Sequence, residues 1–370
     1  MKICIVALDI VPYFQDETST RFGGAEVQAA ALARAFASGG ADVSLVVSNL
    51  PENVHLPFPA ENAYYSERGI WGVRFFHPRL SGIYRALERA DADVYYQHCA
   101  GSITGVTAVF CRRKKKVFVY GAGSNSDFSF SELLITGLRD KILYFLGLKL
   151  ADGIVAQNQI QKGLCKKKVN KTARVIPMVI DVSEKDRLSS GGKVLWIGPI
   201  RKVKRPEMFL ELARRFPDRE FVLIGGSIST ELAFANDVRR QAQEVPNLAY
   251  MGRIPRDEVI HHLQTAAILV NTSSVEGFPN VFLEAWKCGV PVISFTDVDG
   301  LIAGEGVGIL CNSVKDMEQA MRALLGEEER RASMGRKAAE LISSKFSPAV
   351  LSKRYLAYFS ELLENRIRCN

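Results

Sequence analysis

The sequence predicts an α/β protein built from two doubly wound, Rossmann-like domains. Its 370 residues exceed the usual size of a single core, which favours two domains. Short apolar, β-branched runs alternate with longer helical patterns, as in parallel sheets built from βαβ units, and this rhythm starts again near the middle of the chain. With 47% hydrophobic and 24% charged residues, the composition excludes a largely disordered protein.

The first domain is predicted over residues 1–188. Its clearest helix, Ala25–Ser38, ends at Gly39-Gly40, as a helix C-terminus should. Short apolar runs on either side of this and later helical patterns indicate the strands of one parallel sheet. The predicted strands are Ile3–Leu8, Val43–Val47, Val94–Tyr96, Lys116–Tyr120 and Gly153–Ala156.

The second domain is predicted over residues 189–346, because the flexible segment Ser189-Ser190-Gly191-Gly192 stands directly before a new first strand. An amphipathic helix at Ser347–Arg366 is expected to cross back to the first domain, so residues 347–370 form a separate segment. The predicted strands are Lys193–Ile197, Glu220–Ile224, Leu248–Met251, Ile268–Asn271 and Pro291–Phe295, and the predicted helices are Arg205–Arg215, Glu231–Glu244 and Arg256–Ala266.

The N-terminus and the cysteines indicate a cytoplasmic protein. The first apolar run is interrupted by Asp9 and is too short for a signal peptide, so it reads as a buried strand. The seven cysteines are scattered without the spacing of a zinc site, which favours free thiols in a reducing compartment.

Most of the net charge of +8 comes from the first half of the chain, and two basic runs, Arg112–Lys116 and Lys166–Lys168, carry much of it. A solvated face explains such runs, and so does peripheral contact with an anionic membrane, which attracts lysine and arginine. Nucleic acid is the least favoured partner, because no aromatic residues interleave with these charges.

The most informative stretch runs from Val270 to Phe295. A strand leads into a loop, and a helix then opens near Pro279-Asn280 and closes at Gly289. The carboxyl edge of a parallel sheet and a helix N-terminus are both places where anionic ligands bind. Glu276 in the loop and Glu284 inside the helix are therefore candidate ligand-binding carboxylates.

These residues resemble the Glu-x(7)-Glu signature of the retaining glycosyltransferases of family 4, which have the GT-B fold: two Rossmann-like domains that face each other across a cleft. The resemblance implies that Glu276 holds hydroxyls of the transferred sugar and that Glu284 binds the ribose. It also implies that the backbone after Glu276 binds the diphosphate of a nucleotide sugar. The donor-binding residues that the resemblance implies in this segment are Gly277, Phe278, Pro279, Asn280 and Val281.

The basic loop after the first strand of the second domain resembles the family's phosphate clamp. Lys204 matches the family lysine, whereas the family arginine is replaced by Pro199. We expect Arg201, two residues later, to take that role and, with Lys204, to neutralise the departing diphosphate.

Other donor contacts follow from the same resemblance. Gly23 and Gly24 match a glycine loop that lets backbone amides approach the donor phosphate. Gly225 ends a strand near the expected nucleotide site, and Arg253 with Ile254 matches the segment whose backbone meets the base.

The reacting centre in the first domain departs from the family pattern. Many members carry a histidine after a central strand, but here Val117–Tyr120 is followed by Gly121-Ala122-Gly123. His98, at the edge of another strand, and Asp127, the nearest ionisable group, are the two alternatives.

The resemblance implies metal-independent, retaining transfer of a sugar to a hydroxyl acceptor, in cell-surface polysaccharide or glycolipid biosynthesis. The donor enters as a substrate, and neither a cofactor nor a metal is predicted. The acceptor is expected to be a glycan or a lipid-linked sugar. Three alternatives stay open: a nucleotide-sugar epimerase, a sugar phosphorylase, and a non-catalytic subunit that binds a nucleotide sugar.

Overall fold

The computed structural model describes residues 1–15, 24–68, 75–131, 133, 135, 137–180 and 191–368. The chain folds as two compact units, one made of Met1–Val179 with Pro348–Asn370 and the other of Ile180–Ser347. The predicted domain boundary between residues 188 and 189 lies outside the described residues.

The first unit contains a parallel seven-stranded sheet in the order β3-β2-β1-β4-β5-β6-β7. Its central strands are almost completely buried because helices cover both faces, as is usual for parallel sheets. The strands are β1 (Lys2–Val6), β2 (Asp42–Val47), β3 (Ala60–Asn62), β4 (Val94–His98), β5 (Val117–Gly121), β6 (Gly153–Ala156) and β7 (Arg174–Val175).

The helices of this unit are α1 (Val11–Gln15), α2 (Gly24–Ser38), α3 (Ser81–Ala90), α4 (Ile103–Lys114), α5 (Leu138–Leu150) and α6 (Gln159–Val169), with shorter helical turns at Phe75–Leu80 and Asn125–Phe128. Helices α4 and α5 approach each other through glycines. A Cβ atom at Gly105 would lie 2.3 Å from the carbonyl oxygen of Leu143, and one at Gly147 would lie 2.5 Å from the carbonyl carbon of Thr104. This contact therefore requires glycine at both positions.

The second unit contains a parallel six-stranded sheet in the order β10-β9-β8-β11-β12-β13. Its strands are β8 (Lys193–Ile197), β9 (Phe221–Ile224), β10 (Leu248–Gly252), β11 (Ala266–Asn271), β12 (Val292–Ser294) and β13 (Gly308–Leu310). Its helices are α7 (Pro206–Arg215), α8 (Leu232–Gln243), α9 (Arg256–Gln264), α10 (Asn280–Lys287), α11 (Leu301–Glu305), α12 (Val314–Gly326) and α13 (Glu328–Leu341), with shorter turns at Lys202–Lys204, Ser229–Glu231 and Ile342–Phe346.

The last helix, α14 (Pro348–Arg368), packs within the first unit. The ring of Phe36 on α2 lies 5.4 Å from that of Tyr355 and 5.5 Å from that of Phe359, measured between centroids. Near its end, the Arg366 guanidinium lies 2.7 Å from the Asp152 carboxylate. Buried aromatic contacts of this kind fix the helix on the unit.

The predicted long strands all appear in the structure, with ends that differ by a residue or two. The sequence gives no signal for β3, β7 and β13, because these strands have only two or three residues and their side chains are not a buried apolar run. Each of them is held in the sheet by pairing with the neighbouring strand, β3 with β2, β7 with β6 and β13 with β12.

Each sheet reverses its direction of winding at one place. The reversal lies between β1 and β4 in the first unit and between β8 and β11 in the second. Loops that follow the strands on either side of such a switch point leave a crevice, which is where open α/β sheets bind ligands.

Candidate functional site

Two loops meet at the switch point of the second unit, one after β8 and the other after β11. Thr272 connects them, since its hydroxyl lies 2.7 Å from the carbonyl oxygen of Lys204 and accepts a hydrogen bond from the indole nitrogen of Trp196 at 2.9 Å. The Arg205 Nε donates back to the carbonyl oxygen of Thr272 at 2.8 Å. Because Thr272 is fully buried, these contacts fix the position of the basic loop.

Lys204 and Glu276 form an ion pair at the junction of these loops. The Lys204 Nζ lies 2.7 Å from both carboxylate oxygens of Glu276, and the Asn271 amide donates to one of them at 2.9 Å. Only 6% of the Glu276 side chain and 19% of the Lys204 side chain are exposed. A largely buried pair with a third partner is held in one geometry and keeps a cation and an anion ready for a polar ligand.

The helix that follows Glu276 begins next to this pair. Pro279 is the N-cap residue of α10 and supplies no side-chain hydrogen bond to the first turn, which starts with Asn280 and Val281. Phe278 is buried, and its ring lies 5.8 Å from that of Phe346. Gly277 connects this anchored aromatic to Glu276. A helix N-terminus without a side-chain cap is suited to an anion.

Glu284 lies on the same helix, one turn further along. Its carboxylate is mostly buried and is paired with the Arg256 guanidinium on α9, 3.1 Å away. Burial raises the pKa of the Glu284 carboxyl, and the positive charges of Arg256 and Lys287 oppose that effect. The carboxylate therefore depends on its basic neighbours for its charge.

Arg201 does not contact the Lys204–Glu276 pair. Its Nε is 3.5 Å from the Glu231 carboxylate, which also accepts a hydrogen bond from the backbone amide of Lys202 at 2.7 Å. The guanidinium is about half-exposed at the edge of the basic loop. Its predicted role as a phosphate clamp stays a prediction.

Gly225 directly follows β9 and lies between the ends of the two neighbouring strands, β8 and β10. A Cβ atom there would be 1.9 Å from the carbonyl oxygen of Gly198, and the Gly225 amide donates to the carbonyl oxygen of Gly252 at 2.8 Å. A cavity of about 610 Å³ lies beside these turns and is lined in part by Tyr250 and Arg253. Ile254 follows directly, so the structure brings these predicted donor residues to neighbouring strand ends.

In the first unit, a cavity of about 300 Å³ lies at the switch point between β1 and β4. His98, at the end of β4, lines it together with Asp9 and Glu26. Burial lowers the pKa of His98 to about 4, so the imidazole is neutral near pH 7. Gly24 is the first residue of α2, whereas Gly23 lies outside the described residues.

Asp127 is used within its own loop. Its carboxylate accepts hydrogen bonds from the Tyr120 hydroxyl at 2.7 Å and the Gly123 amide at 2.8 Å, and it completes a capping box with Ser124. The residue is 4% exposed, and burial raises the pKa of its carboxyl. These contacts give the Asp127 carboxylate a structural role in its own loop, and the choice between His98 and Asp127 at the reacting centre stays a prediction.

Asn271, Thr272, Arg205 and Arg256 belong to this site and were not predicted. Asn271 and Thr272 directly follow the apolar run of β11, so a polar pair at a strand's carboxyl end was an available signal. Arg256 carries no such signal, since it opens an ordinary surface helix. Within the ranges described, no group of three histidine, cysteine, aspartate or glutamate residues is placed to hold a metal ion.

Two family models match the chain one after the other. The family described as Glycosyltransferase Family 4 matches residues 22–184, and the one described as Glycosyl transferases group 1 matches residues 183–341.

Curated relatives match over part of their length. An N,N'-diacetylbacillosaminyl-diphospho-undecaprenol alpha-1,3-N-acetylgalactosaminyltransferase of Campylobacter jejuni is 26% identical over 163 residues, which are 42% of this chain and 41% of the relative. A D-inositol 3-phosphate glycosyltransferase of Mycobacterium leprae is 27% identical over 199 residues, which are 48% of this chain and 45% of the relative. The matched part thus spans less than half the length of these relatives.

Solved structures match nearly the whole chain. Sucrose-phosphate synthase from Thermosynechococcus elongatus has a TM-score of 0.74 at 17% identity and covers 98% of this chain and 99% of its own. HepE of Anabaena, in complex with UDP and glucose, has a TM-score of 0.74 at 15% identity and covers 98% of this chain and 100% of its own. This likeness concerns the fold, and it confirms the predicted GT-B fold.

Proposed function

Because the chain belongs to the family-4 type of glycosyltransferase, we propose that it transfers a sugar from a nucleotide-diphosphate sugar to a hydroxyl acceptor. The observation that carries the proposal is the ion pair of Lys204 and Glu276, fixed at a switch point next to the N-terminus of α10. A cation, a carboxylate and a helix N-terminus are the groups that a sugar diphosphate needs.

Each group has a distinct role in this proposal. Glu276 accepts hydrogen bonds from hydroxyls of the transferred sugar, while the start of α10 receives the diphosphate. The Lys204 Nζ lies 2.7 Å from the Glu276 carboxylate. Because Glu276 holds the sugar in this proposal, Lys204 lies next to the bond between sugar and phosphate. As that bond breaks, negative charge grows on the leaving diphosphate, and a positioned lysine and helix terminus stabilise it.

We further propose that transfer proceeds with retention and without a metal ion. Lys204, the first turn of α10 and Arg201 supply the positive charge that a metal would otherwise provide. Movement of Arg201 away from Glu231 is part of this proposal. In the first unit, the cavity with neutral His98 and the carboxylates of Asp9 and Glu26 offers hydrogen-bonding groups to acceptor hydroxyls.

The acceptor class is proposed from two relatives. Their names give diphospho-undecaprenol and inositol phosphate as acceptor chemistry, which supports glycolipid or polysaccharide biosynthesis for this chain.

A donor screen tests the proposed function. The full chain is incubated with UDP-, GDP- and ADP-linked sugars, and its melting temperature is measured. At least one donor is expected to raise it, because a ligand that binds only the folded state stabilises that state. The same donor is then incubated with the protein in the absence of an acceptor, and its slow hydrolysis is monitored by NMR. The first sugar released should have the donor's anomeric configuration.

The remaining outcomes separate the alternatives. Conversion of the donor into an isomeric nucleotide sugar supports an epimerase. Binding without turnover, with acceptor glycans present, supports a non-catalytic subunit. Release of the sugar with inverted anomeric configuration contradicts retention. A melting temperature that no donor changes contradicts the proposed function.

Arg256 gives a prediction on pH dependence. With Arg256→Gln, the pKa of Glu284 rises further, because burial still raises it and one opposing charge is lost. A carboxyl group with a higher pKa is already protonated at a higher pH. Because only the charged Glu284 carboxylate is expected to bind the ribose hydroxyls well, the pH below which ribose binding is lost rises. We expect the affinity for UDP, GDP or ADP, whichever the donor screen selects, to fall about tenfold at pH 6 and much less at pH 8.

Calorimetric titration across this pH range measures the effect. Arg240→Gln on α8 is the matched control, since it removes an arginine from an exposed ion pair with Asp237 on the same helix. An equal loss at every pH would indicate that Arg256 contacts the nucleotide directly, and no loss at any pH would contradict the role given to Glu284.

A further inference from the structure

Helix α5 exposes an apolar face. Leu138, Ile142 and Leu146 follow one another at intervals of four residues and are 65%, 55% and 40% exposed. Residues four apart lie on the same side of a helix. The opposite side is also apolar, because Tyr144, Gly147 and Leu148 are buried. A surface helix in a globular protein normally has a polar outer face, so this apolar stripe needs a partner.

Two exposed phenylalanines enlarge the stripe. The ring of Phe130, half-exposed, lies 5.5 Å from that of Phe145 on α5. The Arg139 guanidinium lies 3.6 Å from the ring of Phe75, which brings the neighbouring exposed Phe76 to the start of the helix. We call this surface the α5 patch; it consists of Phe76, Phe130, Leu138, Ile142 and Leu146.

The patch is a cluster and not chance exposure. Of the twelve large hydrophobic side chains that are exposed among the described residues, five belong to it. Clustered apolar surface of this kind is rare on a soluble monomer and marks an interaction site, whereas scattered apolar residues do not.

Basic side chains border the α5 patch. Lys149 lies three residues after Leu146 and is exposed, and Lys141 lies over the Phe130 ring at 5.3 Å. Arg139 is also exposed and pairs with Asp140, the only acidic residue of α5. Apolar side chains bordered by lysine and arginine complement an anionic lipid surface, where the chains enter the interface and the cations meet the headgroups.

We propose that the α5 patch docks this protein onto an anionic phospholipid bilayer, with α5 lying in the plane of the headgroups. The close glycine contact with α4 makes α5 a rigid part of the unit, so its outer face is presented without rearrangement. None of the described helices has the length and hydropathy of a membrane span. The inference does not depend on the proposed transfer reaction.

This surface differs from the basic runs predicted from the sequence. In the run Arg112–Lys116, Lys114 pairs with Glu88 at 2.5 Å and Lys116 with Asp91 at 2.9 Å. Neither this run nor Lys166–Lys168 contains an exposed large apolar side chain. Charges alone attract a protein to a membrane weakly at physiological salt, and apolar contact supplies the anchor.

Vesicle flotation of the full chain tests the proposal. We expect it to bind phosphatidylcholine vesicles that contain phosphatidylglycerol. The triple variant Leu138→Ser, Ile142→Ser, Leu146→Ser should bind them roughly tenfold or more weakly, because the apolar area that enters the interface is lost. Lys141→Gln with Lys149→Gln should weaken binding to these vesicles and reduce its salt dependence.

The matched control is Ile367→Ser on α14, which removes a side chain that is 76% exposed in the same unit. Unchanged melting temperatures show that the variants fold, as expected for substitutions on the surface. The proposal is overturned if the wild-type chain does not bind, or if the triple variant binds equally well. It is also overturned if neutralising Arg112, Arg113 and Lys115, with the α5 patch intact, is enough to abolish binding. Finally, it is overturned if sedimentation shows that the wild-type chain is a dimer and the triple variant is a monomer.

Discussion

Replacing Glu276 by glutamine is expected to lower the rate of sugar transfer by roughly a thousandfold while the fold is kept. The carboxylate is held between Lys204 and Asn271, with both oxygens within 2.7 Å of the Lys204 Nζ. Glutamine has nearly the same shape, but it loses the negative charge and half of the acceptor capacity. The donor sugar then lacks its fixed partner, and the unpaired Lys204 is no longer aimed at the reacting bond.

The measurement is kcat/KM with the donor found in the screen, together with the melting temperature of each variant. Glu318→Gln is the matched control, because it removes a carboxylate that pairs with Arg215 and Arg322 on the surface of the same unit. Full activity in the Glu276→Gln variant, with its nucleotide affinity unchanged, would remove Glu276 from the mechanism.

The Lys204→Met substitution is expected to have the largest effect on stability. It leaves the Glu276 carboxylate, only 6% exposed, with the Asn271 amide but without its countercharge. Removing one partner of a buried ion pair reduces the free energy of unfolding by about 3 kcal/mol. Combining Lys204→Met with Glu276→Gln removes both charges, so most of the stability should return, whereas transfer activity stays lost in both variants.

Unfolding in urea, followed by tryptophan fluorescence, measures this effect. Trp196 and Trp286 are buried in the second unit, and the Trp196 indole donates to Thr272 beside the pair, so their signal reports on this unit. Equal destabilisation in the single and double variants would show that the lysine stabilises the loop by packing and not through its charge.

The sequence predicted the helix-start part of the site from residues that are neighbours in the chain, and it predicted Lys204 from the family resemblance. One short segment contains Glu276, Gly277 and Pro279. Pro279 marks the start of the helix that follows, and Gly289 marks its end. The ion pair joins residues that are 72 positions apart, and only the adjacency of β8 and β11 brings them together. Asn271 and Thr272 were overlooked because a polar pair after a strand has many uses.

The structure gives Asp127 and Arg201 hydrogen-bond and ion-pair partners that the sequence does not show. Asp127 stood near the expected reacting centre in the sequence, but its carboxylate caps its own loop and accepts from Tyr120. Arg201 is predicted to replace the missing family arginine, and in the structure its guanidinium pairs with Glu231. In both cases the competing partner is distant in sequence or comes from the local turn geometry, which composition does not reveal.

Local sequence patterns specify the two doubly wound domains, their long strands and the helix that follows Glu276. These features depend on apolar periodicity and on proline and glycine, which act within a few residues. Tertiary structure brings Lys204 to Glu276 and Arg256 to Glu284, and it leaves leucine and isoleucine side chains of α5 exposed to solvent. Those contacts depend on strand order and helix packing, and an apolar helix reads the same from its sequence whether its second face is covered or exposed.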